Sequence, residues 1–294
     1  MVTAMAANEA FQALEPAISA LPGTVSVWCG RLEGEPAYTR LADEGHYPAS
    51  TMKVGVMAAA YRMADARELD LDAPVAVHHD FASQGPDGGR FEMTESYDSD
   101  HAVWEKRGSS VPLRWLLRRM IVRSSNLATN LALEAVGYDA ADALWETVGA
   151  TGSRTRRGME DFVARDAGVD NVVTAADLAV LFRAIANGTI ASERSSLEMI
   201  DVLRGQEFHV DLARGLPEGT PTALKNGWID GIRHSTAIIY PDDAPAYILS
   251  VCVTSPAAHS QRGEDEACAL LAKIAATSWE VRRSAYSGGA NETA

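Results

Sequence analysis

The sequence predicts a composite α/β (α+β) domain: an antiparallel sheet flanked by helices, with an all-helical block inserted between the strands that build it. Three observations predict this. Strand-like alternation appears at Thr24-Val-Ser-Val-Trp-Cys29 and Ala37-Tyr-Thr-Arg-Leu41, and again only from Thr222 onward. The stretch between them carries repeated helix start and stop signals. After Gly219 strands return, and a closing helix follows them. Strands far apart in sequence must then pair in one sheet around the insert. The expected boundaries are residues 1–49 with 205–294 for the discontinuous sheet unit and 50–204 for the helical unit, together one domain.

Taken in order, Asn8 to Leu21 reads as a helix ended by Pro22-Gly23. Thr24 to Cys29 alternates like a half-buried strand, with Ala37 to Leu41 as its hairpin partner. Tyr47-Pro48 then forces an extended approach to a helix beginning at Ser50, and the unbroken apolar run from Val54 to Met63 makes that helix central and buried. From Pro74 to Gly108 the chain turns polar, which predicts a long surface loop. Helices resume after Ser110 with Pro112 at the first helical position, and Ser124-Ser125-Asn126 caps the next. Ala140 to Val148, Leu178 to Asn187 behind the capping box Thr174-Ala-Ala-Asp177, and Ser195 to Leu203 complete the block. Strands follow at Thr222 to Asn226, Ser235 to Tyr240 and Ala246 to Val253. A helix from Asp265 to Val281 and a frayed tail from Ser284 to Ala294 end the chain.

Composition bounds the chemistry. The 294 residues are 47% hydrophobic and 22% charged, enough for a sizeable core. A net charge of −14 argues against nucleic acid or an anionic membrane as partner. Neither a secretory signal nor an 18-residue apolar span is present, so the expectation is a cytoplasmic protein, and a monomer. Cys29, Cys252 and Cys268 are an odd set without metal-ligand spacing and read as small buried hydrophobes in a reduced compartment. The adjacent His78 and His79 lack a spaced carboxylate or cysteine, so solvent exposure is expected rather than a metal site. No cofactor is called for.

Lysine is scarce: Lys53, Lys106, Lys225 and Lys273 are the only four. One of them sits one helical turn after Ser50, so hydroxyl and amine share a face and can hydrogen-bond. A buried amine tends to lose its proton, and a neutral lysine can take the proton of a serine hydroxyl. Free N–H groups at the helix start can hold an oxyanion. Ser-x-x-Lys alone is weak, since about one arises by accident in a chain this long, and a lysine snorkelling from a helix end is the alternative.

Two further motifs follow in order, Ser124-x-Asn126 and Lys225-Asn226-Gly227. The set resembles the penicillin-recognising serine hydrolases, most closely the class A β-lactamase family with its Ser-x-x-Lys, Ser-Asp-Asn and Lys-Thr/Ser-Gly motifs. The resemblance runs from Thr24 to about Val281 and includes Lys225-Asn-Gly-Trp-Ile-Asp-Gly-Ile-Arg-His234, similar to a segment of a broad β-lactamase-like group. It implies a β-lactamase/transpeptidase-like fold with Lys53 as the base for Ser50. Ser124 would relay a proton to the leaving nitrogen and Asn126 would hold a substrate amide. Lys225, Asn226, Gly227 and Arg233 would serve substrate binding, the lysine and arginine through a carboxylate, and the N–H groups of Ser50 and Trp228 would form the oxyanion hole. Helix capping by Ser124 and Asn126, and a surface salt bridge at Arg233, are the structural alternatives.

The departures from the family are specific. Ser125 replaces an aspartate, which predicts local repacking, and Asn226 replaces a hydroxyl residue that contacts the substrate carboxylate, which weakens the case for β-lactam turnover. The family's deacylating glutamate falls on Glu160 by its distance from Ser124, with Asp161 adjacent and a solvated acidic loop as the alternative. Three functions are compatible: a class A β-lactamase-type hydrolase cleaving a β-lactam or related amide through an acyl-enzyme on Ser50, a relative using the same serine for other acyl transfer, ester or peptide hydrolysis, and a catalytically silent binding protein. The partner in the first two is a small amide or ester bearing a carboxylate.

Overall fold

Val25, Val27 and Cys29 alternate with Ser26 and Trp28, giving the first strand two faces, and both are covered. The computed structural model describes residues 2–259 and 265–283; the tail expected from Ser284 lies outside the described residues. Five strands form one antiparallel sheet: β1 Thr24–Arg31, β2 Pro36–Arg40, β3 Thr222–Ile229, β4 Ile232–Ile239 and β5 Tyr247–Thr254, in spatial order β2-β1-β5-β4-β3. β1 pairs with β5 in the register Val27↔Val251, so the beginning and end of the chain share the sheet centre as expected. The Asp230-Gly231 turn between β3 and β4 uses a φ of +86° at the glycine, a conformation with little steric penalty only there.

On one face Val25, Val27, Leu249 and Val251 pack with Phe11, Leu271 and Ile274 from the terminal helices Val2–Gln12 and Glu266–Glu280. On the other, Trp28, Ala223, Ile238 and Cys252 join the core of the helical block, reached through the helix Ala175–Ala186. β1 was expected to be half-buried; helices on both sides bury it almost entirely. Cys29, Cys252 and Cys268 are buried, and none forms a disulfide among the described residues.

The N-terminal helix is two pieces, Val2–Gln12 and Glu15–Ala20, with Pro16 in the first turn of the second, where its missing N–H is harmless. Pro112 is the N-cap of Leu113–Val122 rather than its first residue. The polar stretch from Pro74 is not a surface loop. It folds into two small ladders, Pro74–Ala76 with Ser110–Pro112 and Asp80–Ala82 with Arg90–Glu92, followed by a short helix His101–Trp104. Phe81, Met93, Val103 and Trp104 anchor it in the core, too irregularly spaced to show a period in the sequence.

At the centre of the block, a 3₁₀ turn Ala49–Met52 runs into the helix Lys53–Asp65, whose residues Val54 to Tyr61 are all buried.

Candidate active site

Ser50 sits in that 3₁₀ turn, immediately after Ala49, which holds a left-handed φ of +46°. One turn later Lys53 is fully buried. Its Nζ donates to the Ser124 carbonyl at 2.6 Å and to Asn126 Oδ1 at 2.8 Å, and lies 3.5 Å from Ser124 Oγ. The expected direct bond to Ser50 Oγ is not formed; the amine is drawn to the stronger carbonyl acceptors instead. Burial lowers the Lys53 pKa to about 7, while Asp98 and Glu160 pull it back up. A neutral amine has two N–H donors, and two carbonyl-type acceptors occupy them, so its lone pair is left to face a hydroxyl.

Ser124 is buried at a positive φ of +58°, and its Oγ accepts from Lys225 Nζ at 2.9 Å. Ser125 caps the helix Asn126–Val136, accepting from Ala128 N, while Asn126 Nδ2 donates to the Tyr97 carbonyl. The aspartate that Ser125 replaces has a substitute. Asp98 Oδ2 accepts from Ser125 Oγ at 3.0 Å, Leu127 N at 2.8 Å and Trp104 Nε1 at 3.0 Å, placing a carboxylate at the same helix N-terminus from the preceding loop. The repacking expected around Ser125 is therefore a relocated charge. The only hint of it in the sequence is the acidic Asp98-Ser-Asp100 before a helix start.

The loop beyond the helix Tyr138–Thr147 brings in Glu160. Arg157, 2% exposed, pairs with Asp170 at 2.7 Å, and Asn171 Oδ1 accepts from the N–H groups of Arg156 and Arg157. Asn130 clamps Met159 through both amide atoms, at 2.7 and 2.9 Å; it follows Asn126 by one turn on the same helical face, the one signal that marks it in the sequence. Glu160 sits at φ +62° with Oε2 accepting from Thr94 N at 3.0 Å and Oε1 buried without a hydrogen bond. Burial raises its pKa, and Asp98 pushes the same way against Thr94 N–H, the nearby Asn126 amide and Lys53. Asp161 is fully buried and points into the protein: it caps the helix Phe162–Asp166 and accepts from Ser83 Oγ at 2.7 Å and Gln84 N at 2.8 Å.

β3 is an edge strand beside the turn that holds Ser50. A Cβ on Gly227 would lie 2.9 Å from both Pro48 O and Ser50 N, so only glycine permits this approach. Lys225 is fully buried, bonded to Ser124 Oγ and to Asn226 O, and burial together with Lys53 lowers its pKa well below that of a free lysine. Trp228 lines the cleft and packs edge-on against Phe208. Asn226 and Arg233 do not line it. The Asn226 amide donates to Phe208 O at 2.7 Å and accepts from Ser235 Oγ at 2.6 Å. Arg233, 2% exposed, donates to His259 O and pairs with Asp265 at 3.2 Å and Asp211 at 3.6 Å.

The result is one cleft of about 700 Å³ lined by Ser50, Ser124, Asn126, Glu160 and Trp228, with Tyr97, Phe162 and Ile229 on its rim. Among the described residues, five non-glycine positions have positive φ; three of them are Ala49, Ser124 and Glu160, so backbone strain is concentrated around this cleft. No group of three metal-ligating side chains occurs among the described residues, and His78 is half-exposed and paired with Glu134 at 2.8 Å.

Comparison with known proteins shows the family and the fold. Residues 7–281 match the family described as the beta-lactamase enzyme family. No curated protein matches. Among solved structures, PBP-A superposes with a TM-score of 0.77 at 20% identity, covering 92% of this chain and 95% of its own; a PBP-A mutant is known as an acyl-enzyme complex with penicillin G. An ancestral class A β-lactamase (TM-score 0.77, 22% identity) covers 92% of this chain and 99% of its own. A β-lactamase from Sphaerobacter thermophilus DSM 20745 (TM-score 0.75, 23% identity) covers 92% and 97%.

Proposed function

Because the chain belongs to the beta-lactamase enzyme family, we propose that it is a serine hydrolase that opens an amide or ester bond, β-lactams included, through an acyl-enzyme on Ser50. The observation that carries this is the convergence of two fully buried lysines on Ser124 beside Ser50, with Lys53 held near a pKa of 7. Burial of both amines and their mutual repulsion favour the neutral form, which suits one of them to act as a base.

Lys53 takes the Ser50 proton as Oγ attacks the carbonyl carbon. The hydroxyl–amine contact tightens when substrate fills the cleft, as catalytic hydrogen bonds commonly do. The developing oxyanion is held by the N–H groups of Ser50 and Trp228, the second on the edge strand that Gly227 allows against the turn. Ser124, polarised by Lys225, hands a proton to the leaving group. Glu160, whose raised pKa makes it a better base than an ordinary carboxylate, takes a proton from water as it attacks the ester and frees Ser50.

A second reading, ester or peptide hydrolysis or acyl transfer with little β-lactamase activity, is favoured by Asn226 and Arg233, neither of which lines the cleft. Intact-mass spectrometry after incubation with benzylpenicillin and with an activated phenylacetyl ester tests the proposal. An adduct of acyl mass is expected with at least one reagent and is lost in Ser50→Ala. An adduct that survives in Ser50→Ala, or none with either reagent, would refute it.

A further inference from the structure

The three residues that lead into Ser124 are all touched by one segment, Gln206 to Phe208. Gln206 Nε2 donates to Ile121 O at 2.9 Å, Glu207 N donates to Val122 O at 3.3 Å, and Arg123 pairs with Glu207 at 2.6 Å. The Arg123 guanidinium also lies 5.3 Å from the centre of the Phe208 ring, within cation–π range. Buried Gln206 accepts from Phe208 N at 3.0 Å and so fixes the backbone from which that ring projects.

The same segment is fastened to β3. Asn226 and Trp228, two residues apart, share one face of the strand. The Asn226 amide donates to Phe208 O at 2.7 Å, and the Phe208 ring meets the Trp228 indole edge-on, with centres 5.0 Å apart and planes at 71°. From the other face Lys225 reaches Ser124 Oγ. Where Asn226 stands the family has a hydroxyl residue, and the amide nitrogen lies one bond further from the backbone than that hydroxyl would. This reach spans the gap to Phe208 O. β3 has a ladder partner on one side only, so side-chain contacts are what fix its distance from the Ser124 turn.

On the proposed function, on which this inference rests, Trp228 N–H holds the oxyanion and Ser124 hands over the leaving-group proton. We infer that Asn226 and Phe208 are positioning residues for that reaction: as a splint between Arg123 and Trp228, they set the spacing of the oxyanion hole and the Ser124 turn. Neither residue lines the cleft. The tetrahedral intermediates before and after the acyl-enzyme place their oxygen in the same pocket, so a displaced Trp228 slows both steps. kcat then falls whichever step limits it, and equal slowing of the two leaves KM in place.

Steady-state release of 4-nitrophenolate from 4-nitrophenyl phenylacetate tests this, with the folded fraction at assay temperature followed by circular dichroism. Phe208→Leu keeps apolar volume at a part-exposed position but removes the ring, and Asn226→Thr keeps a strand-forming residue but removes the reach. Each is expected to lower kcat by about tenfold, less than the 10²–10³ that loss of a whole oxyanion-hole donor costs, with KM within about twofold of wild type and the folded fraction unchanged. The double variant is expected to be no slower than the slower single one, because the splint breaks only once. Phe208→Tyr retains the ring and is expected to keep kcat within about twofold of wild type. Wild-type kcat in Phe208→Leu or Asn226→Thr, a change confined to KM, or a fall matched by loss of folded protein overturns the inference and leaves the acyl-enzyme reading standing. No turnover and no Ser50 adduct in the wild type overturns that reading, and the inference with it.

Discussion

At the scale of single residues, adjacent carboxylates have opposite fates. Asp161 has three donors and no solvent exposure, while Glu160 keeps one oxygen free of hydrogen bonds in the cleft. Glu160→Gln preserves shape but cannot accept a proton from water, so acylation of Ser50 should persist while release slows by about 10²–10⁴-fold, the usual worth of a general base. Stopped-flow turnover with intact-mass detection of the accumulated adduct reads this directly. Asp161→Asn should instead lower the melting temperature, because one of its carboxylate oxygens becomes an N–H donor facing other donors, a loss of about 1–3 kcal/mol. Accumulation in the Asp161 variant but not in the Glu160 variant would assign the base to the wrong neighbour.

At the scale of elements, the helix Asn126–Val136 carries Asn126 toward the cleft and Asn130 toward the Glu160 loop, so its N-terminus organises both halves of the proposed reaction. The negative charge that fixes this end comes from Asp98, a residue of the segment that covers it, instead of from the helix's own cap. Asp98→Asn should therefore destabilise the fold by about 1–3 kcal/mol, since a hydrogen-bonded charge at a helix start is lost. It should also lower the Lys53 pKa further, because Asp98 is the largest influence holding it up. Adding Ser125→Asp to Asp98→Asn restores a carboxylate at the same N-terminus, and the double variant should recover most of the lost melting temperature. If it is less stable than Asp98→Asn alone, the two positions are not equivalent sources of charge.

At the scale of the whole molecule, two buried histidines hold the segment leading to Ser50 against the sheet. His46 bridges Ser26 Oγ on β1 and Thr254 Oγ1 on β5, and its backbone exchanges both hydrogen bonds with Val173. His234 accepts from Val253 N through Nδ1, so its Nε2–H donates to Tyr47 O. This junction lies where the proposed units, residues 1–49 with 205–294 and residues 50–204, meet. Burial lowers the His46 pKa to about 4 and that of His234 to about 3. Between the ordinary value of 6.5 and these, the unfolded chain binds protons that the folded chain refuses, so stability falls as pH falls through that window. Denaturant melts from pH 6.5 to 4 should show the wild type losing up to roughly 1.4 kcal/mol per pH unit more than His46→Asn. Parallel slopes would mean that His46 carries its proton in the folded state.

The sequence by itself determined the three motifs, the order of strands, helical block and strands, and the sheet that joins the two ends of the chain, because periodicity, caps and the scarcity of lysine are local properties. It also determined that Ser50 precedes a buried helix and that Lys53 lies one turn on. Tertiary structure alone decided which charges reach the cleft. The chain marks Arg233 as a candidate substrate ligand, but only the fold shows that Asp211 and Asp265, 22 and 32 residues away in sequence, pair with it. Asp98 was one acid among many in a polar stretch until that stretch folded over Trp104 and delivered it to Ser125. Hydrogen-bond partners and desolvation are set by what surrounds a group in three dimensions, so the identity of a charged residue can be read from the chain while its partner cannot.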